Sequence, residues 1–544
     1  MTLVDGPLLP LAALVWPLLL TGLSALPPVR RHAVRLLPLA PLPGLWLALA
    51  GAEGVTTAPD LLLGVTLALQ PDGRVLLGMA AVLWCIAGLA AQPMAGRPNA
   101  ALFAGFWCLT LAGNLGVFLA RDVATFYVAF AAVSLTSWFL IVHDRTPEAF
   151  RAGRVYIIIA ILGEVALLLG LILGTQAAGG IAIADVAATI GSPAAGLLVI
   201  GLGIKAGLVP LHVWLPLAHP AAPVPGSAVL SGAIVKAGLM GLLLFLPPAG
   251  ALGPMLTGLG LAGAFGAALW GLTQANSKAV LAYSTVSQMG LMGMLVAAGG
   301  AAREAVPYFA MHHGFAKGAL FLLVGVMLIS RARWQRALCL AVGAVAAASV
   351  AGAPLTGGAL AKAAVKQELE PWASTLLSLS SVFTGLVLIW FLIRLARLKP
   401  SGTGRGWAAR LSLPGLLAAL ALLAPWALWQ DWTGLEPGYP ARLETLRDAL
   451  WPVAIAAVLA PFLARWPLPT RPPGDLLLCL VRPGRPGWRA GPARLLPPAK
   501  NARQVRLPAG PLAPSALEAA LSRWGNAGSV LLLLIPLIFA LLVG

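Results

Sequence analysis

Charge is scarce in this chain. Only 10% of its 544 residues are Asp, Glu, Lys or Arg, against 59% hydrophobic residues and a mean hydropathy of +0.90. That composition excludes an ordinary water-soluble fold and indicates an all-α polytopic membrane protein. Acids are scarcer than bases, 18 against 36, giving a formal net charge of +18. In a membrane protein this excess indicates cytoplasmic anchors facing anionic lipid, so nucleic acid is not an expected partner. The four cysteines (Cys85, Cys108, Cys339, Cys479) are far apart, with no CxxC motif and no Cys/His cluster. An iron–sulfur or zinc site is excluded on that pattern. No GxGxxG or GxxxxGK[ST] motif sits between a strand and a helix, so nucleotide chemistry is unsupported. No cofactor, redox site or hydrolytic site is expected in this chain. A basic n-region is also lacking before the first apolar stretch, 8–26, which is long enough to span, so no cleavable signal is read there.

Lysine is scarce too, and its placement is the strongest signal present. Of 36 basic residues only eight are Lys. Most Arg residues lie in polar loops, whereas Lys205, Lys236, Lys317, Lys362 and Lys366 lie in or beside strongly apolar stretches. Arg does not release its proton in a protein, and a buried Lys can. Ionisable groups inside a membrane are functional candidates by default. One acid, Glu164, lies deep in an apolar span, IIIAILGEVALLLG.

Apolar runs predict about 14 to 16 transmembrane helices, the last at 528–543. Basic loops alternate with acidic or neutral ones, and by the positive-inside rule both termini face away from the cytoplasm, across a bacterial inner membrane. The organisation expected is helices 1–3 in residues 1–100, one unit in 101–247, a second in 251–398, further helices in 399–466, and a terminal helix in 528–544. The segment 467–527 is Pro/Gly/Arg-rich and reads as a basic arm. It is either interfacial and partly helical or a disordered linker, and anionic lipid is its expected partner.

Two spans carry helix breakers at membrane depth. Span seven, GLGIKAGLVPLHVWLPLAHPAAPVPGS, contains Pro210 and Pro216, with Lys205 before the break and His212 and His219 after it. Span twelve, AGAPLTGGALAKAAVKQE, contains Pro354, Gly357 and Gly358, with Lys362 following. Broken helices in matching positions of two halves point to a transporter with sites near the midplane. Between them lie Lys236 and the pair His313 and Lys317, which share a helix face at i, i+4. The plain alternative is that such groups cap broken-helix carbonyls or snorkel from span ends. Lys366 is assigned that structural role, because it is predicted near the outer surface beside Glu368. For Lys205, Lys236, Lys317 and Lys362 the cost of burying charge favours function. For His212 and His219, satisfying the helix break and relaying protons both stand open.

At these residues the chain resembles a known family, the antiporter-like proton-translocating subunits. That family includes the large membrane-arm subunits of respiratory complex I, Mrp-type antiporter subunits and membrane subunits of energy-converting hydrogenases. The motifs are PLHVWLPLAHPAAPVPGSAVLSGAIVKAGL, SKAVLAYSTVSQMG from Ser277, HHGFAKGALFLLVG from His312 and GAPLTGGALAK ending at Lys362. Together they cover roughly residues 100–400. The resemblance implies two inverted five-helix repeats with broken helices at spans seven and twelve, and a hydrated polar axis along the midplane. It implies that Lys205, Lys236, His313 with Lys317, and Lys362 are the relay positions, and that other membrane subunits are partners. The expected function is proton translocation in a multisubunit ion-pumping complex. The alternatives are Na⁺ or K⁺ exchange for H⁺, or energy coupling for inorganic-carbon uptake. A pumping subunit of an oxidoreductase would do no redox chemistry itself.

The chain departs from the family where acids are expected. Ala131, in FYVAFAAVSLTSW, occupies the position of a span-five glutamate that normally pairs with the span-seven lysine. Leu217 and Asn276 stand at or near two further acidic positions. The expectation is that Glu164, from the neighbouring span six, replaces the missing partner of Lys205.

Overall fold

The computed structural model describes residues 6–51, 54–247, 250–367, 369–402, 404–465 and 470–474. Among these, thirteen helices are long and apolar enough to cross a membrane, and two shorter apolar helices add to them. The chain is therefore an all-α polytopic membrane protein. In order, the first helices are α1 (Leu9–Ala25), α2 (Ala33–Ala50), α3 (Pro71–Ala90), α4 (Ala100–Leu119), α5 (Val123–Ile141) and α6 (Pro147–Ala178). Then follow α7 (Ser192–Ala206), α8 (Leu215–Ala221), α9 (Val224–Phe245), α10 (Gly253–Gly271), α11 (Ser277–Ala298) and α12 (Val306–Ile329). The last are α13 (Arg333–Ala351), α14 (Gly357–Lys366), α15 (Pro371–Ala396), α16 (Trp407–Ala427) and α17 (Leu443–Arg465). The expected span at 528–543 and the terminal unit 528–544 lie outside the described residues, as does the arm beyond residue 474.

Helix starts follow local chemistry. Asp122 caps α5 through Thr125 N at 2.7 Å, Thr146 caps α6, and Asn276 caps α11 through the amides of Lys278 and Ala279. Each cap satisfies amide donors that the first turn leaves free. Asp122 also accepts from Thr66 N at 2.8 Å, tying α5 to a hairpin of β1 (Val55–Ala58) and β2 (Val65–Ala68), which are antiparallel. The helices pack through small residues: a Cβ on Gly260 would lie 2.6 Å from Gly290 O, so α10 and α11 approach backbone to backbone. α4 is buried along its full length and α11 along all but its ends, whereas most of α17 is exposed.

The two interruptions predicted from sequence are present. α7 stops at Gly207, whose φ of +75° needs no Cβ, and the helix resumes as α8. Pro210 lies inside that gap, while Pro216 opens the resumed helix. The carbonyl of Ile204, released by the break, accepts from Trp214 Nε1 at 2.7 Å. The second gap separates α13 from α14. Gly352 is left-handed there, Pro354 lies in the gap, and Gly357 and Gly358 begin the resumed helix. A Cβ on Gly358 would collide with the Ser349 carbonyl, and one on Gly357 with the Ala421 carbonyl.

Candidate functional site

A third irregularity organises the middle of the site. Within α9, residues Leu230–Ile234 form a π turn, a feature that loosens the normal carbonyl ladder. Lys236, one turn on, donates from Nζ to the Ser231 carbonyl at 2.9 Å. The same Nζ lies 2.7 Å from His313 Nδ1 on α12, sharing a hydrogen bond whose donor depends on which group holds the proton. Both residues are fully buried. Lys317, one turn along α12 from His313, donates to the Leu281 carbonyl at 3.2 Å and is a charge neighbour of Lys236.

Adjacent residues on a helix diverge by about 100°, and α12 uses this. His313 faces α9, while His312 Nε2 meets Ser349 Oγ of α13 at 2.9 Å. His312 is in turn a charge neighbour of Lys362. Lys362 Nζ donates to Ser381 Oγ of α15 at 2.6 Å and to the Ala351 carbonyl, the last of α13, at 2.9 Å. The terminal lysine therefore caps the broken helix while presenting its amine beside a polar cavity of about 460 Å³.

Lys205 occupies a separate pocket. Its Nζ donates to Tyr156 Oη of α6 at 3.1 Å, and Tyr156 donates to the Ser134 carbonyl at 2.5 Å. The rings of Phe130, Tyr156 and Trp214 surround the amine at 5.4–6.0 Å, a favourable setting for a cation. Glu164 is only 7% exposed and is the charge neighbour of Lys205. The span-six acid thus faces the span-seven lysine, the placement expected for a substitute at Ala131. No hydrogen bond joins Lys205 to Lys236 or His313 among the described residues, so this cluster stands apart from the α9–α12 line.

His219 stacks on Phe321 with centroids 4.5 Å apart, and neither ring nitrogen has a hydrogen-bond partner among the described residues. Its charge neighbours are Lys317 and Lys278. His212 lies beside the Tyr283 ring, with centroids 6.3 Å apart. Lys278, near the start of α11, turns inward and donates to the Ala222 carbonyl just past α8 at 2.6 Å. The side chains that sequence reasoning passed over are therefore Tyr156, Ser349, Ser381 and Lys278. The available signal was hydroxyls recurring inside apolar helices, as in SLSS at 378–381.

A cavity of about 290 Å³ lies on the Arg-rich face beside Arg97, Asp144 and Arg410. Asp144 is a charge neighbour of Lys278. The line of buried amines and imidazoles therefore runs between two cavities, one near each face of the bundle.

Residues 120–387 match the family described as NADH:quinone oxidoreductase/Mrp antiporter, transmembrane. Over those residues the chain is similar to that family of antiporter-like membrane subunits. It is 30% identical over 300 residues to hydrogenase-4 component B of Escherichia coli K12, covering 48% of this chain and 44% of that protein. It is 29% identical over 448 residues to NADH-quinone oxidoreductase subunit N of Cereibacter sphaeroides, covering 76% of this chain and 96% of that one. The chain spans less than half the length of several relatives it matches, hydrogenase-4 component B included. Its fold matches a chain in the structure of the Mrp complex from Dietzia sp. DQ12-45-1b, with TM-score 0.68 at 23% identity, over 87% of this chain and 59% of that one.

Proposed function

We propose that this chain is the proton-translocating subunit of a multisubunit ion-pumping complex, moving H⁺ along its buried Lys/His line. The observation that carries the reading is the 2.7 Å contact between Lys236 Nζ and His313 Nδ1, continued on the other face of α12 by His312, Ser349 and Lys362. Two weak bases sharing one hydrogen bond can exchange its proton without moving. A proton enters from the Arg-rich face at the cavity beside Asp144. It passes Lys278 and His219 to Lys317, then Lys236 and His313, crosses α12 through His312, and leaves by Lys362. His219 and the outer nitrogens of His312 and His313 lack protein partners among the described residues, and such buried groups call for bridging water.

Lys205, Tyr156 and Glu164 form the coupling end of the subunit in this reading. α6 carries Glu164 on its inner side and exposed Ile158, Ile161, Leu162 and Val165 elsewhere, a face suited to another membrane subunit. The two inverted repeats at 101–247 and 251–398 are part of this proposal. The Arg-rich face is cytoplasmic by the positive-inside rule, in a bacterial inner membrane with both termini outside. Anionic lipid is the proposed partner of the basic arm; at its described start, Arg471 N donates to the Thr273 carbonyl at 3.0 Å and the Arg471 guanidinium lies over Trp270.

Exchange of Na⁺ or K⁺ for H⁺ needs several oxygen ligands around the cation. Carboxylates are scarce inside the spans, with Glu164 the one acid deep in an apolar stretch, so proton movement is favoured. Partners identified by co-purification separate the alternatives: redox subunits indicate pumping, small antiporter subunits indicate cation exchange, and a soluble zinc protein indicates carbon uptake. The direct test is proton flux through the purified complex in proteoliposomes. Lys362→Ala abolishes flux if the line conducts, and unchanged flux in an assembled variant overturns the proposal.

A further inference from the structure

The polar cavity at Lys362 has a wall that the relay does not use. Lys366 lies one turn beyond Lys362 on α14, so the two amines share a helix face. Lys366 is also the charge neighbour of Lys362. Across the cavity α17 presents Glu444 and Asp448, again one turn apart, and Asp448 Oδ2 pairs with Lys366 Nζ at 3.2 Å. The Lys366 side chain is 18% exposed and that of Asp448 is 66% exposed. The ion pair therefore stands between the buried amine of Lys362 and the water outside. Lys366 had been assigned to the surface beside Glu368. Glu368 lies outside the described residues, and the partner found is Asp448, 82 positions along the chain.

We infer that Lys366 and Asp448 form an electrostatic latch at the mouth of the proton path, with α17 as its moving arm. This rests on the reading of Lys362 as the terminal proton carrier. While the pair is closed, Asp448 neutralises Lys366, and Lys362 can hold a proton beside it. When α17 moves away, the uncompensated charge of Lys366 acts on Lys362 at short range. The Lys362 ammonium then gives its proton to cavity water, leaving a neutral amine that His312 resupplies from behind. α17 suits this role because it lies at the edge of the bundle, mostly exposed, and packs chiefly on α15. α15 contributes only Ser374, Ser378 and Ser381 to the cavity, so it adds hydrogen bonding without charge. The charged or titratable groups facing Lys362 among the described residues are Lys366 on its own helix, His312 from α12, Tyr439 and Arg442 from the preceding loop, and Glu444 and Asp448 from α17. Arg442 is already paired with Glu436 at 2.6 Å. Lys366 and Asp448 are therefore the charges that can alter the field at Lys362 by parting.

The experiment uses the complete complex purified through this chain, reconstituted in proteoliposomes, with flux driven by an imposed potential and read by a pH-sensitive dye. Flux is measured against pH on the cavity side. Asp448→Asn leaves Lys366 unopposed, so the pH of half-maximal flux falls by about one unit, a tenfold change in proton occupancy of Lys362. Lys366→Gln removes the cation and leaves the carboxylate, so the midpoint moves the opposite way. The double neutral variant returns toward the native midpoint. A purely structural pair would give equal losses and no opposed shifts. Unchanged profiles in both single variants, or shifts of the same sign, overturn the latch. Lys362→Ala is run alongside: if it conducts normally the relay reading itself fails, and if it is inactive while the Lys366 and Asp448 variants behave as native, only the latch fails.

Discussion

Lys236 and His313 lie on different helices, 77 positions apart, yet their nitrogens are 2.7 Å from each other. The contact exists because α9 is not a regular helix at this point. The π turn at Leu230–Ile234 leaves the Ser231 carbonyl to the lysine amine, which anchors the side chain, and close packing brings α12 in. A Cβ on Gly232 would lie 2.9 Å from the Gly314 carbonyl, one residue after His313. Local irregularity and small residues thus set a chemical distance.

From that contact, Lys236→Arg is expected to fail in proton flux although charge is preserved, because guanidinium does not release its proton. His313→Phe keeps ring volume, removes the acceptor, and should lower flux by at least about a hundredfold, the lower end of the range for losing a positioned proton-transfer group. Both variants should assemble. Flux at the native rate in either would remove that residue from the line.

The Lys205 cluster gives a different expectation. With Glu164 and Tyr156 supplying its partners, Lys205→Met leaves a buried carboxylate uncompensated. Removing one member of a buried charge pair costs about 3–5 kcal/mol, whereas replacing both by apolar groups is often nearly neutral. Thermal unfolding of the detergent-solubilised complex should therefore show Lys205→Met and Glu164→Gln less stable than the native chain, and Lys205→Met/Glu164→Leu partly recovered. Additive losses would mean that the two charges act independently.

Lys278 offers a test of the uptake side. Its amine holds the Ala222 carbonyl at the end of α8, and it neighbours both His219 and Asp144. Lys278→Gln keeps a donor for that carbonyl but removes the charge. Flux should fall while assembly and melting temperature stay near native. Loss of assembly with normal flux per assembled complex would assign Lys278 to helix capping alone.

Much of this was legible in the sequence because the membrane makes it so. Twenty-residue apolar runs and alternating basic loops mark the spans, and among the described residues thirteen helices are long and apolar enough to cross a membrane, with two shorter apolar helices beside them. Pro210 and Pro354 announced the gaps, and the buried lysines announced the site. Three things were not legible. Pro216 reads as a breaker by type, but it opens α8, because proline is compatible with the first turn of a helix. Lys278 and Lys366 resemble loop anchors by position, and only three-dimensional packing turns one onto α8 and the other toward α17. Tyr156 and Ser349 carry no spacing signal, since a hydroxyl in an apolar helix bonds its own backbone as readily as a neighbour's side chain.

The second helix break gives the sharpest steric prediction. Gly358 sits where a Cβ would run into the Ser349 carbonyl and lie 3.0 Å from the His312 ring. Ser349 is the residue whose hydroxyl meets His312, so one added methyl group presses on both partners of the α12–α13 handover. Gly358→Ala should therefore cost about 1–3 kcal/mol by overpacking and lower flux beyond what the stability loss explains, because His312 must turn away from Ser349. Gly415→Ala on α16 is the control, since nothing lies within 4 Å of its added Cβ and alanine favours the helix. Melting temperature and flux are read on the same reconstituted samples. If Gly358→Ala matches Gly415→Ala in both, the close approach of α14 to α13 is not what positions His312.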